Sequence, residues 1–169
     1  MKRLFLLILT TCTVCLLSIH AFASTGFIGY IGGNNDYDGK SAEFPKKQFL
    51  GLYDEGAMGV VGQNGGTLVI VDRAYIGGNY TFPEMRGKLI ITGKYGDKNF
   101  VNASNLFNPT GGMLKAASDK VITLGSDTVL TDMILFQEAG QNTIVVPSYV
   151  TLTITDTVQI MTKPGNDYY

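Results

Sequence analysis

This sequence predicts an all-β fold in which short strands stack as successive coils, and three observations carry that prediction. The first is a repeat. Residues 121–160 read VITLGSDTVLTDMILFQEAGQNTIVVPSYVTLTITDTVQI, one motif written twice; a slide of about twenty-two residues sets Ile122 on Ile144, Leu124 on Val146 and Leu130 on Leu152. Repeats of this length mark solenoids, in which each unit buries its inner face on the next. The second is alternation: Val150, Leu152 and Ile154 share one face of a strand, and β-branched and aromatic residues favour strands over helices. The third is the filling between the apolar steps, where Thr, Ser, Asp, Asn and Gly suit corners and wet faces.

The chain opens with a processing signal. Lys2 and Arg3 supply the positive start, Leu4 to Ile19 is an apolar run, and Ala21-Phe22-Ala23 is a small-x-small cleavage site, so cleavage is expected after Ala23. A retained membrane anchor would need a longer run, and neither Cys12 nor Cys15 follows a lipoprotein pattern. The expectation is export to the medium or cell surface, with no membrane contact once the leader is gone.

Removing residues 1–23 changes the inventory. Cys12, Cys15 and the single His20 leave, and Trp is absent throughout, so the processed chain has no disulfide, thiol nucleophile, imidazole base or Cys/His metal site. Lys2 and Arg3 go from the 13 basic residues, leaving 11 against 14 acidic ones, a net charge near −3. A nucleic-acid partner would call for a basic stripe, and none is expected here. The remaining 146 or so residues suit one domain.

Residues 24–63 read as an opening strand, a loop and a cap helix. Phe27 to Ile31 alternates as a strand, and Gly32 to Gly39 is a dense set of turn formers. Pro45 then precedes Lys46 to Val61, where Phe49, Leu52, Tyr53 and Val60 fall near helical spacing. Gly51, Gly56 and Gly59 each weaken that helix by roughly 1 kcal/mol relative to Ala. Docked over the first coil, it would protect an open edge.

Residues 64–163 read as the coils. Thr67 to Asp72, Asn79 to Phe82 and Lys88 to Gly93 are bounded strands, and Leu68 to Leu89 is a step of twenty-one. Tyr95 to Pro109 breaks the rhythm and is read as a loop extruded from a corner or a loosely formed coil, after which Gly111 to Ala116 resumes. In 133–136 either Met133 and Leu135 or Ile134 and Phe136 point inward. Residues 164–169 form a tail without a capping element; a truncated product, a partner or a homotypic end-to-end contact would account for the open end.

The run Tyr30-Ile31-Gly32-Gly33-Asn34-Asn35-Asp36-Tyr37-Asp38-Gly39-Lys40-Ser41, then Pro45-Lys46-Lys47, then Gly65-Gly66-Thr67-Leu68-Val69-Ile70-Val71, resembles the opening of secreted right-handed parallel β-helix proteins of the pectate-lyase-like kind. These are common among bacterial surface and polysaccharide-degrading proteins. The resemblance covers residues 27 to 71, with looser agreement from 88 to 160. It implies a right-handed parallel β-helix, a short solenoid of about five coils with an N-terminal cap helix. Lyases of this type carry clustered Asp as calcium ligands and an Arg or Lys base on later coils, before which this chain is expected to stop, so the resemblance implies a fold and not a reaction.

Candidate sites follow from residue type and spacing. Asn34, Asp36 and Asp38 before Gly39 resemble the first half of a calcium loop, in which alternating oxygens converge after a Gly turn. The closing Glu is missing, since Pro45 holds the twelfth place and Glu43 falls two early; an Asx-rich turn is the competing reading. No other cofactor is implied. Arg73, Lys88 and Lys94 beside Asp72 supply the groups of a lyase-like acid and base set, but nothing in their spacing demands it, and solvated corner charges are the preferred reading. Tyr30, Tyr37, Tyr53, Tyr75, Tyr80, Tyr95 and Tyr149 would stack on sugars if aligned on one side, and otherwise pack at strand edges. Gly77-Gly78 and Gly111-Gly112 are corner glycines, because no Lys-Ser/Thr follows either pair.

The sequence names no reaction and no catalytic residue. Its first reading is an exported, non-catalytic β-helix segment of a surface or adhesion-type protein, with polysaccharide as the contact. The alternatives are the front of a polysaccharide lyase or glycoside hydrolase whose catalytic coils are absent, and a structural module associating end to end.

Overall fold

The computed structural model describes residues 23–104, 109–137 and 143–162. The segments expected to be a leader, residues 1–23, and a tail, residues 164–169, therefore lie outside the described residues, apart from Ala23. Strands β1 (Ser24–Ile28), β2 (Gly66–Ile70), β5 (Leu89–Thr92), β10 (Thr128–Thr131) and β13 (Leu152–Ile154) form one sheet in that order. Strands β3 (Arg73–Ile76), β8 (Met113–Ala116), β11 (Ile134–Gln137) and β14 (Gln159–Thr162) form a second, and β4 (Tyr80–Thr81), β9 (Val121–Thr123) and β12 (Thr143–Val145) a third. Every pairing in these three sheets is parallel. From β2 onward the chain visits the sheets in strict rotation, and they do not close into a barrel.

Register shows why the repeat is visible and where it drifts. Ile122 faces Ile144 as the sequence predicts, and the Leu124 N–H reaching Val145 O at 3.0 Å continues that alignment. Leu130 pairs with Ile154, not Leu152, and Leu68 pairs with Ile91, not Leu89. Both corrections are two residues, a full strand period, so the buried face is unchanged. The corners absorb the difference. Gly26, Leu68, Ile91, Leu130 and Ile154 make one inward column, and Ala74, Leu114, Leu135 and Ile160 make another. Full burial of a Leu or Ile in such a column is worth about 1.5–3 kcal/mol.

The cap helix is much shorter than the sequence predicts. Only Ala57–Val61 is helical (α1); Lys46 instead bridges to Ile28 as strand-like backbone, and Leu50 adopts a left-handed φ of 49°. At Gly56 a Cβ would lie 2.3 Å from Phe49 O, so the chain turns tightly there and cannot run helically from Pro45. What remains packs on β1. Ala57, Met58 and Val61 are buried in the main core, and a Cβ on Gly26 would stand 2.8 Å from Ala57 O, so α1 rests directly on β1.

Residues 94–103 answer the ambiguous register of 133–136. The antiparallel pair β6 (Lys94–Tyr95) and β7 (Lys98–Asn99) lays Tyr95 edge-on against Phe27, ring centroids 5.0 Å apart, outside the first sheet. Val101 and Ala103 then cover Met113, Ile134 and Phe136 on the outer face of the second sheet, while Leu135 packs against the main core. Both alternatives are apolar because both faces are covered.

The two ends of the stack differ. At the first, Phe27 N–H donates to Gly39 O at 2.8 Å and Lys46 N–H to Phe27 O at 2.9 Å, so loop 29–48 occupies the free edge of β1. At the other, β12, β13 and β14 each stand last in their sheet. Val145, Val146, Ile154 and Ile160 are exposed there, Ile160 by 65%.

Candidate functional site

Loop 29–48 carries Asn34, Asp36 and Asp38. Asn34 Oδ1 accepts the Asp36 N–H at 3.2 Å and Asp38 Oδ1 accepts the Lys40 N–H at 3.0 Å, which are Asx turns closed two residues on. Two of the three oxygen donors thus serve the loop's own backbone. Among the described residues no three of His, Cys, Asp and Glu gather into a metal-holding group. The loop is braced from below: Asn35 Nδ2 donates to Gln48 Oε1 at 2.9 Å, and the buried Lys46 gives its ammonium to Asn35 O at 2.6 Å.

Between this loop and α1 lies an open cleft of about 600 Å³. Asp36, Tyr37, Asp38 and Lys40 line one side, and Asp54 and Glu55 the other. Carboxylates accept hydroxyl protons, the ammonium donates, and the tyrosine offers an apolar ring with a polar tip. That set suits a polyhydroxylated ligand. The sequence shows the loop half of it; Asp54 and Glu55 fall inside the segment predicted to be helical and join the cleft only because the chain turns at Gly56.

Asp72 has a role that the sequence does not reveal. Its Oδ1 accepts the Tyr30 N–H at 2.7 Å, its Oδ2 accepts Gly32 N–H at 2.9 Å and Ile31 N–H at 3.1 Å, and the Arg73 N–H also closes onto Oδ1. Consecutive amides turned toward one anion make a nest, and here the protein's own carboxylate fills it. Asp72 therefore anchors the loop and is not free to act as a base. Lys88 and Lys94 flank β5 at opposite ends, one strand apart, while Arg73 opens β3, so the imagined acid and base set is spread along the coils.

The tyrosines do not form one row. Tyr37 packs on Phe44, Tyr95 on Phe27, and Tyr80 on Phe49 and Phe82, while Tyr53 and Tyr149 stand exposed without a ring partner among the described residues. Tyr80 donates its hydroxyl to Leu50 O at 2.9 Å, and burial, aided by the charge of Asp54, pushes its phenol well above the ordinary range. It stays protonated at any physiological pH. Tyr30 and Tyr75 form an exposed edge-on pair 5.7 Å apart, with Lys47 and Arg73 against the Tyr30 ring.

At the bonding end of the hairpin, Lys98 Nζ meets Glu43 at 3.1 Å, and that hydrogen bond holds the exposed Glu43 carboxyl below its usual range. No helix among the described residues is long and apolar enough to cross a membrane. Compared with protein-family models, curated proteins and solved structures, the chain finds no match.

Proposed function

We propose that this chain is an exported, non-catalytic right-handed parallel β-helix module of a surface or adhesion-type protein, and that carbohydrate is its contact. The strict rotation of the chain through three parallel sheets supports the β-helix. Export rests on the leader, Lys2 to Ala23. The observation that carries the carbohydrate reading is the open cleft lined by Asp36, Tyr37, Asp38, Lys40, Asp54 and Glu55. Open, polar clefts beside an aromatic ring match saccharides better than apolar ligands, which need enclosed pockets. The test is a panel of neutral oligosaccharides titrated into the processed chain by calorimetry. Binding without turnover, weakened at least tenfold by Tyr37→Ala or Asp54→Asn, is the expected result. No binding across the panel, or release of unsaturated product from a polyuronide, would refute it.

A second reading, end-to-end association, is favoured by a last rung on which Val145, Val146, Ile154 and Ile160 are exposed and which no other described element covers. Between Thr143 and Thr162 the only charged residue is Asp156, although exposed strand edges are ordinarily guarded by charge. Mass by light scattering should then rise with concentration, and Ile160→Lys should hold the chain monomeric.

A further inference from the structure

We propose that Tyr30, Lys47, Arg73 and Tyr75 form a second binding site, specific for a saccharide that carries an anionic group. The proposal rests on the carbohydrate reading but uses different residues from the cleft beside α1. Four observations converge. The Lys47 ammonium lies 5.2 Å from the centre of the Tyr30 ring and the Arg73 guanidinium carbon 5.4 Å, so two cations share one ring. Tyr30 and Tyr75, edge-on to each other, remain 40% and 37% exposed and present aromatic surface beside those cations.

Neither cation has a carboxylate within ion-pair distance among the described residues, where Lys98 and Glu43 make the pair. Asp72, the nearest acid in sequence, is held by the amides of Tyr30, Ile31, Gly32 and Arg73 and does not reach either. Finally, Arg73 Nε is buried without a hydrogen-bond partner, so ring contact and not donor pairing positions its guanidinium.

Two cations against one ring and without an ion-pair partner keep donors that an oxyanion can take, and guanidinium favours planar, multidentate oxyanions. The aromatic pair adds the second half of the recognition, an apolar ring face for a sugar. Chain geometry makes the arrangement deliberate at one point: Lys46 turns inward to Asn35 while the adjacent Lys47 turns out onto Tyr30. Since the chain as a whole is acidic, with an isoelectric point near 5.7, diffuse attraction would work against such a ligand.

The test uses dextran sulfate oligosaccharides, unmodified dextran and inorganic sulfate, each titrated into the processed chain in chelator. Dextran sulfate should bind, inorganic sulfate should bind at least tenfold more weakly, and Lys47→Gln with Arg73→Gln should cut dextran sulfate affinity at least thirtyfold. Tyr75→Ala should cost at least fivefold with the cations intact. Lys88→Gln, which removes one positive charge at a distant corner, should leave affinity within twofold; circular dichroism melts confirm folding of every variant. Absence of dextran sulfate binding, or equal loss in Lys88→Gln, overturns the site. Neutral oligosaccharide binding that depends on Tyr37 and persists in the Lys47 and Arg73 variants would leave the cleft standing even so.

Discussion

Ile91→Ala perturbs the centre of the stack, and its cost can be worked from the geometry. Ile91 is fully buried, with Leu68 and Leu130 as its register neighbours on either side. Truncation removes three carbons, about 2.4 kcal/mol of transfer free energy at roughly 0.8 per buried methylene. Strands above and below are held by ladders and collapse little, so a cavity contribution brings the total to about 3–4 kcal/mol. Ile154 belongs to the same column but is 45% exposed on the last rung, where truncation loses about half the transfer and leaves no cavity. Ile154→Ala should cost about 1 kcal/mol. Ile90 pairs beside Ile91 but points to the outer face, and Ile90→Ala should also cost about 1 kcal/mol. Urea unfolding followed by circular dichroism measures all three, and Ile91→Ala should lower Tm by roughly 10 °C. If Ile90→Ala matched or exceeded Ile91→Ala, the inward assignment would be wrong. If Ile154→Ala matched it, the last rung would be covered after all.

Three further outcomes follow from particular contacts. Asp72→Ala leaves the Ile31, Gly32 and Arg73 amides without that acceptor, while the Tyr30 N–H keeps Arg73 O at 2.7 Å; it should destabilise by about 2–3 kcal/mol, with faster hydrogen exchange at residues 31 and 32. Because the Tyr80 phenol is raised on folding, its contribution is intact below the ordinary tyrosine value near 10 and declines as pH rises above it. Stability measured from pH 9 to 12 should therefore fall less steeply in Tyr80→Phe, and the last phenolate absorbance step should vanish. Gly26→Ala drives a methyl against Ala57 O and should cost about 1–3 kcal/mol, read as loss of protection in α1 and β1 before the later strands.

The repeat was legible because each coil must solve the same burial problem, so Ile122 and Ile144 carry the same constraint. Corner lengths are under no such constraint, and the two-residue offsets at Leu130 and Leu68 arise there. The long helix was misread because Phe49, Leu52 and Val60 mimic helical spacing; Phe49 is buried by contact with Tyr80 and Phe82 from a neighbouring coil, not by a helical face. Ile134 and Phe136 gave two apolar faces, and only the return of Val101 and Ala103 across the outer face explains why. Asp72 left no local signal, since its partners lie some forty residues earlier. The same distance hides Arg73 and Tyr75 from Tyr30 and Lys47. Residue type identified the donors in the Asn34 to Asp38 loop, while their use in turns depends on backbone geometry that spacing does not encode.

Spin-label distances along the outer face of the first sheet test the stacked architecture most directly. Thr67, Ile90, Val129 and Thr153 occupy one register column on consecutive strands. In a chain begun at Ser24, which lacks Cys12 and Cys15, a paired cysteine at any two of these positions is the only thiol pair present. Parallel neighbours lie about 4.8 Å apart, so separation from Thr67 should grow to about 5 Å at Ile90, 10 Å at Val129 and 14 Å at Thr153. A steady climb in that order is the result predicted here; a distance from Thr67 to Thr153 shorter than that to Val129 would contradict it.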